Sequence, residues 1–157
     1  MARELLFMNA IGEAIASEME RDPTVLLIGE DVAYYQGAFK VSKGFVEEFG
    51  PQRVIDTPIT EAGFTGLAIG AAMAGLYPIV ELMTMNFGIV ALDQIVNNAA
   101  KIRYMSGGQL SVPLVIRGPG SAAHQLGAQH SQSLEAWFCH VPGLKVILVS
   151  LASCLAF

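Results

Sequence analysis

Short apolar runs alternate along the chain with longer stretches of helical periodicity. "VLLIGE" (25–30) is continuously apolar and stopped by Gly29, as a strand buried on both faces of a sheet should be. "RVID" (53–56), "PIVELM" (78–83), "VPLVIRG" (112–118) and "LKVILVS" (144–150) repeat the theme. Between them the pattern predicts helices over 42–49, 62–74, 90–105 and 131–139. An N-terminal amphipathic helix precedes them, with Leu5, Met8, Ile11, Ile15 and Met19 on one face, and it ends near Asp22 and Pro23. Gly50 with Pro51, Gly75 before Pro78, and Ser106-Gly107-Gly108 are the expected helix stops. The alternation predicts an α/β fold with a mostly parallel sheet and helices on both faces. No repeat, low-complexity tract or linker divides it, so a single domain is expected.

Composition narrows the functional classes. The 157 residues are 53% hydrophobic and 15% charged, enough for one compact domain with a substantial core. A net charge of -5 and a pI near 5.1 leave no basic face for a phosphate backbone or an anionic lipid surface. Mean hydropathy of +0.49 raises the membrane question, because 62–80 carries no charged residue and matches a bilayer span in length. Gly63, Gly66, Gly70 and Gly75 thin its apolar surface and Pro78 interrupts it, so a buried helix followed by a buried strand is the better reading. The N-terminus lacks the charged start, apolar run and small-residue site of a secretory signal. Cys139 and Cys154 form no CxxC pair, and the expectation is two buried thiols in a reducing cytoplasm.

In open parallel sheets ligands bind beyond the carboxyl ends of the strands. That edge receives Glu30 and Asp31, then 57–61, 85–87 and 117–132. Glu61, in "DTPITEAGFTG", precedes a helix rich in Gly and Ala, whose small side chains admit a close ligand or backbone. Apolar neighbours such as Ile59, Phe64 and Leu67 would raise its pKa, which suits a group that shares a proton with a weak base. Taken alone, Glu61 would more often be an acid favoured by a helix N-terminus. Glu30 is a surface acid by default, or a second carboxylate linked to Glu61 through water. His130, in "GAQHSQSLEAWF", is a structural histidine or a catalyst; Phe87, in "MTMNFG", is core or a ring that stacks on a flat ligand. His124, His130 and His140 lack the i, i+4 spacing of a zinc pair. No GxGxxG, GxxxxGK[ST] or GxSxG occurs, and "RGPGS" (117–121) is too weak a signal to name a phosphate site.

"LIGEDVA", "DTPITEAGFTGLAIGAAMAGLYPIVE", "MTMNFGIVALDQIVNNAAKIRYMSGGQ", "VPLVIRGPG" and "GAQHSQSLEAWFCHVPGLKV" together resemble the β subunit of the pyruvate dehydrogenase first component. The resemblance runs over nearly the whole chain to about Val149. It implies a pyrimidine-binding domain of the transketolase-like, thiamine-diphosphate class. The glutamate matching Glu61 hydrogen-bonds the aminopyrimidine nitrogen and favours the imino tautomer, whose imino group takes the proton from the thiazolium carbon. Phe87 matches the ring packed on the aminopyrimidine, Ile59 lies in the lining segment, and Glu30 matches an acid linking paired active sites. His130 matches a substrate-side histidine that orients the intermediate during acetyl transfer to lipoate. Leu114 matches a position whose carbonyl helps hold a structural potassium ion.

The same resemblance implies an α2β2 heterotetramer whose α subunit holds the diphosphate and magnesium, because no GDG motif occurs here. It implies docking to a lipoyl acyltransferase core, and a bacterial cytoplasmic, mitochondrial or plastid location. The family continues after "LKVILVS" with a Pro-containing turn, a lysine-bearing helix, a strand and a second domain. "LASCLAF" (151–157) departs from that register, so the expectation is an incomplete pyrimidine-binding domain, inactive alone. Branched-chain or acetoin dehydrogenase β subunits, an inert remnant that only binds the α subunit, and a flavodoxin-like module are the competing expectations.

Overall fold

The computed structural model describes residues 4–120 and 125–149. His124, Cys154 and the 151–157 tail lie outside the described residues. Element order is α1 (Phe7–Arg21), β1 (Val25–Gly29), α2 (Phe45–Phe49), β2 (Val54–Asp56), α3 (Glu61–Met73) and β3 (Tyr77–Glu81). A 3-10 turn (Met85–Ile89), a π-helix (Gln94–Ala99), α4 (Ile102–Met105), β4 (Val115–Arg117), a 3-10 turn (Ala128–His130) and α5 (Glu135–Cys139) follow.

The strands form one parallel sheet in the order β2-β1-β3-β4. β1 sits inside it, buried at every position, which is why its sequence is apolar without alternation. Residues of opposite parity face opposite layers. Val25, Leu27 and Ile79 meet Ile15 and Met19 of α1 and Phe45 and Val46 of α2. Leu26, Ile28 and Val80 meet Phe64 and Ala68 of α3. Helices therefore cover both faces, as the alternation predicts. Each fully buried aliphatic side chain contributes roughly 1.5–3 kcal/mol relative to exposure. Arg53 fixes the lower end of the sheet, donating from its guanidinium to the carbonyls of Met19, Asp22 and Val25.

Several expectations need correction. The single helix over 90–105 is instead broken into the π-helix and α4. Side-chain bonds at four-residue spacing, Asn97 to Asp93 (2.7 Å) and Asn98 to Gln94 (3.1 Å), run along this wider coil. Its six residues are too few for apolar periodicity to separate π from α. The strand over 144–150 does not form across its described part, 144–149. Among the described residues β4 is an edge strand paired only with β3, and Ile147, Leu148 and Val149 are exposed. Leu5 precedes α1 and is exposed, so the packed stripe of that helix begins at Met8 and Ile11, which are partly buried against the core, and continues through the buried Ile15 and Met19. Cys139 is an exposed thiol rather than a buried one. Among the described residues no helix is long and apolar enough to cross a membrane.

Candidate active site

Each strand delivers a functional group at its carboxyl end. β1 ends at Gly29, placing Glu30 in a turn where it is 4% exposed. α3 begins at Glu61, 6% exposed, and its buried positions Glu61, Phe64, Thr65, Ala68, Ile69 and Ala72 form one helical face against the sheet. The first residue of that face is thus carried down to the sheet edge beside Glu30.

The two carboxyls act on each other. Burial first, then the neighbouring Glu61 charge and a hydrogen bond with it, push Glu30 up to about 7. A hydrogen bond between two carboxyls requires one of them to hold a proton. No N–H or hydroxyl of the described residues reaches the buried Oε1 of Glu30. Of the apolar neighbours expected around Glu61, only Phe64 is buried; Ile59 is 79% exposed and Leu67 also faces outward.

Backbone clamps hold the turn that carries Glu30. Asp56, at the end of β2, accepts from the amides of Ala33 (2.6 Å) and Tyr34 (3.3 Å), and Thr57 N–H donates to the Gly29 carbonyl (3.0 Å). Asp31 takes a left-handed conformation, φ 55°, inside this clamp. Farther along the loop, buried Ser42 donates to the Val32 carbonyl (2.6 Å). Gly37, φ 81°, packs where a Cβ would lie 3.2 Å from both Glu81 Oε1 and Ser42 Oγ.

Glu81, at the end of β3, is ion-paired with Arg117 at the end of β4. Burial raises its carboxyl pKa, and the Arg117 guanidinium opposes that rise. Neither Asp56 nor this pair was singled out from sequence. The available signal was a charge closing an otherwise apolar strand.

Phe87 and His130 arrive from distant segments, the turn after β3 and the turn before α5, and their rings pack T-shaped at 5.2 Å with planes 89° apart. Phe87 is half-buried and His130 exposed. Leu114 is half-buried just before β4, against the α3-side core. The site residues read from sequence thus fall into two close pairs, Glu30 with Glu61 and Phe87 with His130, while Ile59 stands clear in the solvent. Among the described residues no three His, Cys, Asp or Glu side chains cluster as a metal site.

The family model described as transketolase, pyrimidine binding domain, matches residues 3–154. The chain is 58% identical over 147 residues to the mitochondrial pyruvate dehydrogenase E1 component subunit beta-2 of rice, covering 94% of this chain and 39% of that one. It is 58% identical over 144 residues to the pyruvate dehydrogenase E1 component subunit beta of Rickettsia conorii, covering 92% of this chain and 44% of the other. The chain therefore spans about two fifths of the length of these curated relatives. Among solved structures, a split-gene transketolase described as an inactive beta4 tetramer shares the fold at a TM-score of 0.63. That match has 20% identity and covers 85% of this chain and 39% of the other.

Proposed function

The chain belongs to the transketolase pyrimidine-binding domain family, and we propose that it serves as the aminopyrimidine-activating part of a pyruvate dehydrogenase β subunit. The whole enzyme in this reading decarboxylates pyruvate with thiamine diphosphate and passes the acetyl unit to a lipoyl group. The observation that carries it is the pair of buried carboxyls, Glu61 at the start of α3 and Glu30 raised to about 7 beside it.

Those residues fit the cofactor's pyrimidine side. A buried acid is what holds a proton at a weakly basic ring nitrogen, and Glu30 Oε1 is a buried acceptor with no donor among the described residues. When bound, thiamine diphosphate supplies an acidic thiazolium carbon and an adjacent amino group that receives its proton. Glu61 would hydrogen-bond the pyrimidine nitrogen, with Glu30, whose pKa is raised to about 7, beside it as the second carboxyl of the pair. Phe87 would offer its ring to the aminopyrimidine, and Ile59 lies in the exposed segment before Glu61 that would line it. His130 stands on the substrate side, orienting the two-carbon unit. Leu114 would contribute its backbone carbonyl to a structural potassium ion.

The diphosphate and magnesium fall to an α subunit in an α2β2 assembly, and a lipoyl acyltransferase core is the next partner. The relatives' pyruvate dehydrogenase names support pyruvate over branched 2-oxo acids. The bacterial cytoplasm or the mitochondrial matrix is the compartment this reading implies.

A chimera tests it. Residues 4–149 of this chain replace the matching segment of the rice beta-2 subunit, co-expressed with its α partner. Pyruvate decarboxylation should persist, and Glu61→Gln should lower turnover by a hundredfold or more, a magnitude of about 10²–10⁴ being ordinary for loss of a positioned proton-transfer group. Near-normal turnover by an assembled Glu61→Gln chimera would remove Glu61 from the mechanism.

A further inference from the structure

We infer that Asn86 is a positioning residue that holds the His130 imidazole against Phe87; the functional weight of this inference rests on the site reading above, but its geometry does not. Asn86 is 4% exposed and joins two loops. Its amide nitrogen donates to Thr84 Oγ1, which also accepts from the Asn86 backbone N–H (3.2 Å) and so caps the 3-10 turn carrying Phe87. Its amide oxygen accepts from the Gln132 N–H (2.8 Å), two residues past His130.

The two loops are anchored unequally. The Phe87 turn has a second tie, Met85 N–H to the Pro119 carbonyl (2.7 Å), beside Gly118, where a Cβ would meet the Leu82 carbonyl at 2.9 Å. Among the described residues the His130 loop has no such reserve. Its other hydrogen bonds are local: His130 N–H to the Gly127 carbonyl, Leu126 N–H to Ser131 Oγ, and Gln132 Nε2 to the Gln129 carbonyl. Among hydrogen bonds between described residues, Gln132 to Asn86 is the one that ties 125–132 to the rest of the chain. Removing Asn86 should therefore free His130 while leaving the Phe87 turn in place. Asn86→Asp should retain the arrangement, because one carboxylate oxygen accepts from Gln132 while the Thr84 hydroxyl turns to donate to the other.

Two measurements on the 157-residue chain decide it, and neither involves a cofactor. The Gln132 amide should exchange about tenfold more slowly than those of Gln129 and Ser133, the protection of one net hydrogen bond, and Asn86→Ala should abolish the difference. In dilute chain carrying labelled histidines, the His130 ring resonance, assigned with His130→Gln, should lie away from its position in Phe87→Leu. Asn86→Ala should move it to that position and Asn86→Asp should restore it. Unprotected Gln132 in the wild-type chain, or a His130 resonance unmoved by Asn86→Ala, overturns the inference. The wild-type exchange measurement still decides if Asn86→Ala does not fold. Failure of the chimera with these two results intact would instead sink the functional reading and leave the clasp standing.

Discussion

Glu30 is held where its charge is unfavourable, and the consequence is a definite pH dependence. Burial and Glu61 raise its pKa from 4.5 to about 7, so the folded chain binds this proton more tightly than the unfolded chain. The stabilising protonated form is fully populated below the unfolded value and is lost as pH rises through about 7. Glu30→Gln removes that loss. Denaturation should give mutant and wild type a fixed offset near pH 4. By about pH 8 the mutant should gain up to on the order of 3 kcal/mol, at about 1.4 kcal/mol per pKa step. A difference that fails to widen with pH would show Glu30 ionising freely in the fold. At this scale Glu30, Glu61, Phe87 and His130 were legible because each follows an apolar run predicted as a strand or opens a predicted helix. Asn86, Asp56 and Ser42 were not, since an Asn, Asp or Ser that bonds a distant amide or carbonyl looks in sequence like any turn former.

The elements divide along the same physical line. β1 and β3 were readable from their apolar runs between turn signals, and α3 because its stop at Gly75 and its buried spacing agree. The 90–105 and 144–149 segments were misread because their form depends on neighbours. Asp93, Gln94, Asn97 and Asn98 favour a coil that periodicity does not resolve, and an apolar run is a strand only where a ladder partner exists. Pairing between β1 and β2 also explains a role for Asp56. Gly29 and Asp56 lie in register, so the β2 carboxylate reaches the loop leaving β1. Asp56→Ala should strand the Ala33 amide, whose burial without a partner costs about 1–3 kcal/mol. Asp56→Asn, which keeps one acceptor, should cost less. Urea denaturation of both variants checks the order, and equal midpoints for wild type and Asp56→Ala would show the clamp to be dispensable.

At the scale of the molecule, the two layers that bury the sheet leave other apolar surface open. α3 turns Leu67 and Met73 outward, Ile59 projects ahead of it, Ile147 and Leu148 stand exposed, and β4 has a partner on one side only among the described residues. An edge strand beside apolar side chains is a template for pairing with another chain. Cofactor affinity has the opposite problem. In the proposed reading a half-buried Phe87 ring and the Glu61 carboxyl would hold one end of thiamine diphosphate, while the sequence offers no GDG or P-loop motif for the diphosphate. The chain alone should therefore self-associate with rising concentration, bind thiamine diphosphate weakly even with magnesium, and leave pyruvate unchanged. Light scattering across a dilution series and isothermal titration on the same sample measure both properties together. If the open surfaces matter as argued, Leu67→Lys and Ile147→Lys should shift the scattering toward monomer without improving binding. Tight, magnesium-dependent binding by a monodisperse 157-residue monomer would mean that the chain completes on its own a site that this reading divides between two subunits.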